Sequence, residues 1–238
     1  NDNFKKVEFD KIDVSKLPEL EQFMLHKISN LNLNFKKNFD NYNFHALYKE
    51  LLNFCTVDLS SFYFDIRKDS LYCDALDSPK RKSTVIFLNI LLEILLKWFA
   101  PILSFTTEEI YRLVKIDSKK SIHLESFPDI PANWNNKKLE TKWMELIKIR
   151  ETCNSSIELK RASKEIGSSL EANLVINLNK KMINLVQDID FSELCITSDA
   201  KIKESKSGEI VVETIKALGN KCPVCWKINE NKCERHSE

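Results

Sequence analysis

The chain of 238 residues sets 36 Lys and Arg against 35 Asp and Glu, a formal net charge of +1. A balance this even supplies no global field for nucleic acid or an anionic lipid surface, so any such contact must come from local patches. With 43% hydrophobic residues the chain can bury the core of one large or two modest domains. Its glycines, Gly167, Gly208 and Gly219, are too scattered to cradle a phosphate, which excludes a P-loop or a dinucleotide fold.

The most apolar stretch, Ser83 to Leu92, is half the ~20 residues that a membrane helix needs. The chain opens Asn1-Asp2-Asn3-Phe4, with no initiator Met and no apolar leader, so a processed protein or a piece of a longer one is expected. Of seven cysteines, three cluster near the C-terminus and Cys55, Cys73, Cys153 and Cys195 sit singly on apolar stretches. That usage fits a reducing, cytoplasmic setting with one metal site, the scattered four being buried hydrophobes.

Residues 17–130 read as helical. Leu20, Phe23, Met24, Ile28 and Leu31 recur at helical spacing after Pro18. Asn43 can cap a long amphipathic helix through Phe44, Leu47, Leu51, Phe54, Cys55, Leu59 and Phe62. A loop over 66–82 is expected next. Ser78-Pro79 starts a third helix that runs toward Pro101, apolar nearly all round except for Asn89, Glu93 and Lys97, of which the last two can pair. Thr106 and Glu109 have capping-box spacing and open a fourth helix.

Pro128 and Pro131 mark a break, and a fifth helix runs from about Lys138 through Trp143, Leu146 and Ile157 to before Gly167. The texture then changes. Leu174 to Leu178 and Gly208 to Glu213 have strand composition, with a helix near Met182 to Val186 and a short strand near Leu194-Cys195-Ile196 between them. The fold class is therefore mainly α: a helical bundle over 1–166, a small α+β module over 167–219 and a metal-binding tail over 220–238.

The tail carries the strongest chemical signal. Cys222 and Cys225, then Cys233 and His236, form two pairs whose sulfur and nitrogen atoms can converge on one tetrahedral ion. Zinc is the usual occupant of such a Cys3His set, and four protein ligands leave no open position, so the site is structural. A redox Cys-x-x-Cys and an unstructured terminus are the competing readings; the first needs neither Cys233 nor His236. Between Ile66 and Lys82 five basic residues face three acidic ones, an only mildly positive stretch whose aromatics and cations suit either RNA or plain solvent. No catalytic constellation is present: His26, His45 and His123 lie far apart, each read as a half-buried surface histidine, and no Ser elbow or His-Glu-x-x-His occurs.

Several segments are familiar. Tyr42 to His45, Phe62 to Asp69 with Leu71-Tyr72, Asp77 to Arg81, and Trp98 to Glu109 resemble the anticodon-binding helical domain of bacterial isoleucyl-tRNA synthetases. Ile149 to Glu151, Ile166 to Ala172 and Lys221-Cys222-Pro223-Val224-Cys225-Trp226 resemble the segments that follow, including the C-terminal zinc module. The resemblance runs in register along nearly the whole chain, and the Cys-Pro-x-Cys-Trp tail distinguishes the isoleucyl family from its valyl and leucyl cousins. Differences are local: His236 stands where the family usually has Cys, Val224 where a basic residue is common, and Ser70 where an Arg is expected.

The resemblance implies a parent that ligates isoleucine to its tRNA with ATP, and a chain that is the tRNA-reading part, lacking both catalytic signatures of that enzyme class. ATP belongs to the absent catalytic half, which would be a partner in the same parent chain. The resemblance also implies that Arg67, Lys68, Lys80 and Arg81 face the RNA backbone and that Trp226 lies near an unpaired anticodon base. Trp226 is otherwise read as a lid over the zinc. The rival function is a protein-interaction adaptor of helices and zinc knuckle that never touches RNA.

Overall fold

The computed structural model describes residues 8–114 and 120–236; the opening Asn1 to Phe4 lies outside them. The chain divides into two compact units, residues 1–71 with 75–137 and residues 72–74 with 138–238. This packing division falls about thirty residues before the change of texture near 166. The reason is physical: position 166 marks the switch from helix to strand, whereas the long helix before it shares its core with the sheet after it.

The first unit is helical. Helix α1 (Glu19–Asp40) follows Pro18 and buries Phe23, Met24, Leu25, Ile28 and Phe35. Helix α2 (Phe44–Asn53) begins after Asn43, whose amide side chain bonds Asn38 instead of capping the helix. Beyond it the chain stays helical: Phe54–Phe64 winds as a π-helix and leads into α3 (Asp65–Cys73). The step of five residues from buried Phe54 to buried Leu59 suits these wider turns. The loop expected over 66–82 is thus mostly helix, because no Pro or Gly interrupts the chain from Asn43 to Asp77.

Helix α4 (Pro79–Phe99) starts where Ser78-Pro79 directs, with the Ser78 hydroxyl accepting from the Arg81 amide. It buries Phe87, Ile90, Leu91, Ile94 and Trp98, and the Trp98 indole N–H donates to Asn32 Oδ1 of α1 at 3.1 Å. Glu93 and Lys97 pair at 3.4 Å as their spacing anticipates. Helix α5 (Ser104–Val114) begins two residues before Thr106, so no capping box forms there. Instead Glu108 accepts from the Ser121 hydroxyl at 2.8 Å and the Ile122 amide at 2.9 Å, pinning the returning chain. His26 is buried, not half-buried: its Nδ1 accepts from the Asn136 amide at 2.9 Å.

In the second unit α6 (Lys137–Ala162) lines up Trp143, Leu146, Ile149, Cys153 and Ile157 on a buried face. The Ser156 hydroxyl lies 2.7 Å from that of Thr214, tying α6 to strand β3 (Val211–Lys216). Strand β1 (Ala172–Leu178) alternates buried and half-buried residues and lies at the centre of a three-stranded sheet. It pairs antiparallel with β3 and parallel with β2 (Asp199–Glu204). The parallel pair needs a crossover, supplied by α7 (Lys180–Val186) and α8 (Phe191–Leu194).

The strand expected at Leu194-Cys195-Ile196 is therefore replaced by the end of α8. The Asp190 carboxylate accepts the Ser192 and Glu193 amides and so opens a helical turn. The strand that exists, β2, reads Asp-Ala-Lys-Ile-Lys-Glu, an edge composition with too few apolar residues to announce itself. A hairpin of β4 (Asn220–Lys221) and β5 (Ile228–Asn229) then encloses the Cys222–Cys225 turn. Gly219 precedes it at φ 118°, where a Cβ would stand 2.2 Å from the Asn229 carbonyl oxygen, so the hairpin closes only over glycine.

Candidate functional site

The hairpin brings the four tail ligands together. The Cys222 amide donates to the Lys227 carbonyl at 2.9 Å and the Trp226 amide to the Cys222 carbonyl at 3.1 Å, curling the chain around the Cys222 sulfur. The ligand atoms of Cys222, Cys225, Cys233 and His236 all lie within 4.8 Å of one another. Cys225 Sγ is 3.8 Å from Cys233 Sγ, and His236 Nδ1 is 3.5 Å from the sulfurs of both Cys222 and Cys233. A tetrahedron with metal–sulfur bonds of about 2.3 Å has edges of about 3.8 Å, so the set can hold a metal ion.

The second nitrogen of His236 explains why a histidine serves here. Its Nε2–H donates to the Cys73 carbonyl at 2.8 Å, which leaves the Nδ1 lone pair to face the Cys222 and Cys233 sulfurs. That bond to Cys73 raises the imidazole above its usual value, joined by the neighbouring sulfurs and opposed by burial. The thiols diverge. At Cys222 burial is outweighed by the Cys225 and Val224 amides, with the Cys225 and His236 side chains assisting, and the thiol falls to about 6. Burial and the adjoining Cys222 and Cys233 sulfurs push Cys225 up to about 12. A cation displaces these shared protons.

Two further contacts join residues 72–74 to the tail. The Cys73 thiol lies 3.6 Å from the Val224 carbonyl, and the Arg235 guanidinium forms an ion pair with Asp74. Cys73 is thus half-buried beside the Cys/His cluster and not the plain core residue expected of it, as Cys153 and Cys195 are. Nothing in the sequence signals this contact, because 163 residues separate Cys73 from His236.

Trp226 projects outward, 58% exposed, with its backbone in the left-handed region at φ 64°. It is no buried lid. Lys221 Nζ sits 5.2 Å from the ring centroid, a cation against the indole that sequence reading missed.

The expected RNA-facing cations fare differently. Arg67 is 3% exposed and its guanidinium is engaged by fully buried Glu21, so it is an interior ion pair and not a surface cation. The turn of α3 that carries it faces α1, which no local pattern reveals. Lys68, on the outer side of α3, pairs with Asp65 at 2.5 Å. Lys80 and Arg81 lie half-buried in the first turn of α4. These cations belong to the first unit, whereas Trp226 belongs to the second.

A helical unit whose first helices are joined by a buried Glu–Arg pair, followed by a sheet module and a Cys3His knuckle, defines a class. The family described as "Anticodon-binding domain of tRNA ligase" matches residues 21–176, and the chain belongs to that family. Among its relatives, the isoleucine–tRNA ligase of Pelagibacter ubique is 62% identical over 238 residues, all of this chain and 26% of that protein. The isoleucine–tRNA ligase of Agrobacterium fabrum is 38% identical over 230 residues, covering 92% of this chain and 24% of that protein. That of Bradyrhizobium diazoefficiens is 37% identical over 232 residues, 93% and 23% respectively. The chain spans about a quarter of the length of these curated relatives. No helix among the described residues is long and apolar enough to cross a membrane.

Proposed function

We propose that this chain is the tRNA-reading portion of an isoleucine–tRNA ligase acting in the cytoplasm. It binds the anticodon region of isoleucine tRNA while a catalytic part elsewhere in the parent chain attaches isoleucine with ATP. The observation that carries this reading is the match to an anticodon-binding family over 21–176 together with 62% identity to an isoleucine–tRNA ligase along every residue of the chain.

The site chemistry supports it. Bases of a single-stranded loop can be splayed onto aromatic side chains, and Trp226 offers an exposed indole whose backbone follows directly on a metal ligand. Lys68 on α3 and Lys80 and Arg81 at the start of α4 are the candidate phosphate contacts, Arg67 being committed to Glu21. Three thiolates and an imidazole at tetrahedral spacing select zinc over the hard cations Mg²⁺ and Ca²⁺, and with four ligands from the chain the ion holds the tail in shape.

Two RNA fragments test the reading. The chain binds an anticodon stem-loop of isoleucine tRNA and not a minihelix of its acceptor stem; equal binding to both overturns it.

A further inference from the structure

We infer that Tyr72 is a second base-stacking residue, held beside the knuckle by His236. The inference deepens the proposed function and rests on it. Tyr72 is 83% exposed, an aromatic ring almost wholly in water at the end of α3. Its neighbours are fixed on the tail side by three contacts: Cys73 O with His236 Nε2, Cys73 Sγ with the Val224 carbonyl, and Asp74 with Arg235. A ring on a backbone restrained this way meets a ligand at little further conformational cost.

The contacts also bound its distance from Trp226. Cys73 Sγ lies 3.6 Å from the Val224 carbonyl. One chain step back to Tyr72 and two forward to Trp226 leave the two Cα atoms at most about 20 Å apart. A short run of unpaired nucleotides covers that span. Exposed Lys221, 5.2 Å from the Trp226 ring centroid, places a cation beside an aromatic as single-strand grooves do, which favours a phosphate-linked ligand over an apolar peptide.

His236 is the positioning residue. With Nδ1 facing the Cys222 and Cys233 sulfurs and Nε2–H on the Cys73 carbonyl, it would make the placement of Tyr72 depend on a loaded metal site. A cysteine at position 236 would complete the ligand set without making that second bond.

The test uses the whole zinc-loaded chain and a fluorescent anticodon stem-loop of isoleucine tRNA. Tyr72→Ala and Tyr72→Leu each weaken binding about tenfold, and Tyr72→Phe binds like the parent, since stacking needs the ring and not the hydroxyl. Zinc content is unchanged in all three. His236→Cys retains zinc, speeds hydrogen exchange at residues 72–74 and weakens binding, and Tyr72→Ala adds little when combined with it. Should His236→Cys not load, Asp74→Ala, which removes a clamp without touching a ligand, serves with the same expectation. Full affinity in Tyr72→Ala while a Trp226 variant is weakened overturns this inference and leaves the proposed function standing; unaltered exchange at 72–74 in the clamp variant overturns the positioning role. A parent chain that does not prefer the isoleucine stem-loop overturns both.

Discussion

Arg67 grips Glu21 across 46 residues of sequence: Nε lies 2.6 Å from Oε1 and the second guanidinium nitrogen 2.7 Å from Oε2, with the carboxylate fully buried. The Tyr63 hydroxyl donates to the same Oε1 at 3.0 Å, and burial with the Glu21 charge pushes that phenol up. Arg67 therefore fastens α3 to α1 and is not available to a phosphate.

Removing the guanidinium strands a buried charge. Arg67→Ala is expected to cost about 3–5 kcal/mol in urea unfolding, and the double replacement Arg67→Met with Glu21→Leu to recover most of it. Lys68→Ala, on the exposed pair with Asp65, changes stability by less than about 1 kcal/mol. An Arg67→Ala loss as small as that of Lys68→Ala would contradict the interior assignment.

Trp226 lends itself to a sharper separation. A bulky residue at φ 64° is strained, and glycine there is not. Trp226→Gly is expected to keep its zinc and to melt at the parent temperature or above it, while losing about 1–3 kcal/mol of tRNA affinity. Falling melting temperature with unchanged affinity would make the indole structural.

Metal loading should depend on pH with a definite sign. The ion needs thiolates and a neutral imidazole, whereas the free cluster holds a proton on Cys225, whose thiol is pushed up to about 12, and on His236 at pH below its raised value. Affinity for zinc therefore rises with pH, about tenfold per unit for each proton released. Competition titrations between pH 6 and 8 read this directly, and a flat profile would exclude the set. Cys233→Ser should lose the ion.

Glu108 gives a second pH dependence. Bonds from Ser121 and Arg112, against burial and with help from the Ile122 amide, lower its carboxyl from 4.5 to about 2. A depressed folded-state value stabilises the fold above 4.5 and stops doing so as pH falls through about 2. Glu108→Gln should thus melt earlier than the parent at pH 7, with the gap closing between pH 4.5 and 2. A gap constant in pH would show that the charge is not what matters.

What the sequence disclosed follows a physical division. Ser78-Pro79, the strand composition of Leu174 to Leu178 and the two ligand pairs of the tail are local patterns, and each appears in the structure where the residues put it. Two of the misreadings involve partners far along the chain. Arg67 looks like a surface cation until α1 brings Glu21 to it, and Cys73 looks like a core thiol until His236 reaches its carbonyl. Strand β2 is charged along most of its length because it is an edge, paired on one side by β1. The π-helical stretch Phe54–Phe64 keeps an apolar rhythm close enough to 3.6 to pass for ordinary helix.

The central claim is selective anticodon reading, and one titration tests it most directly: the zinc-loaded chain against isoleucine tRNA and a panel of other tRNAs across a range of salt. The account predicts that isoleucine tRNA binds most tightly and that its affinity falls log-linearly with salt, since phosphate contacts release counterions. Equal affinity for every tRNA, or no binding at any salt concentration, would contradict it.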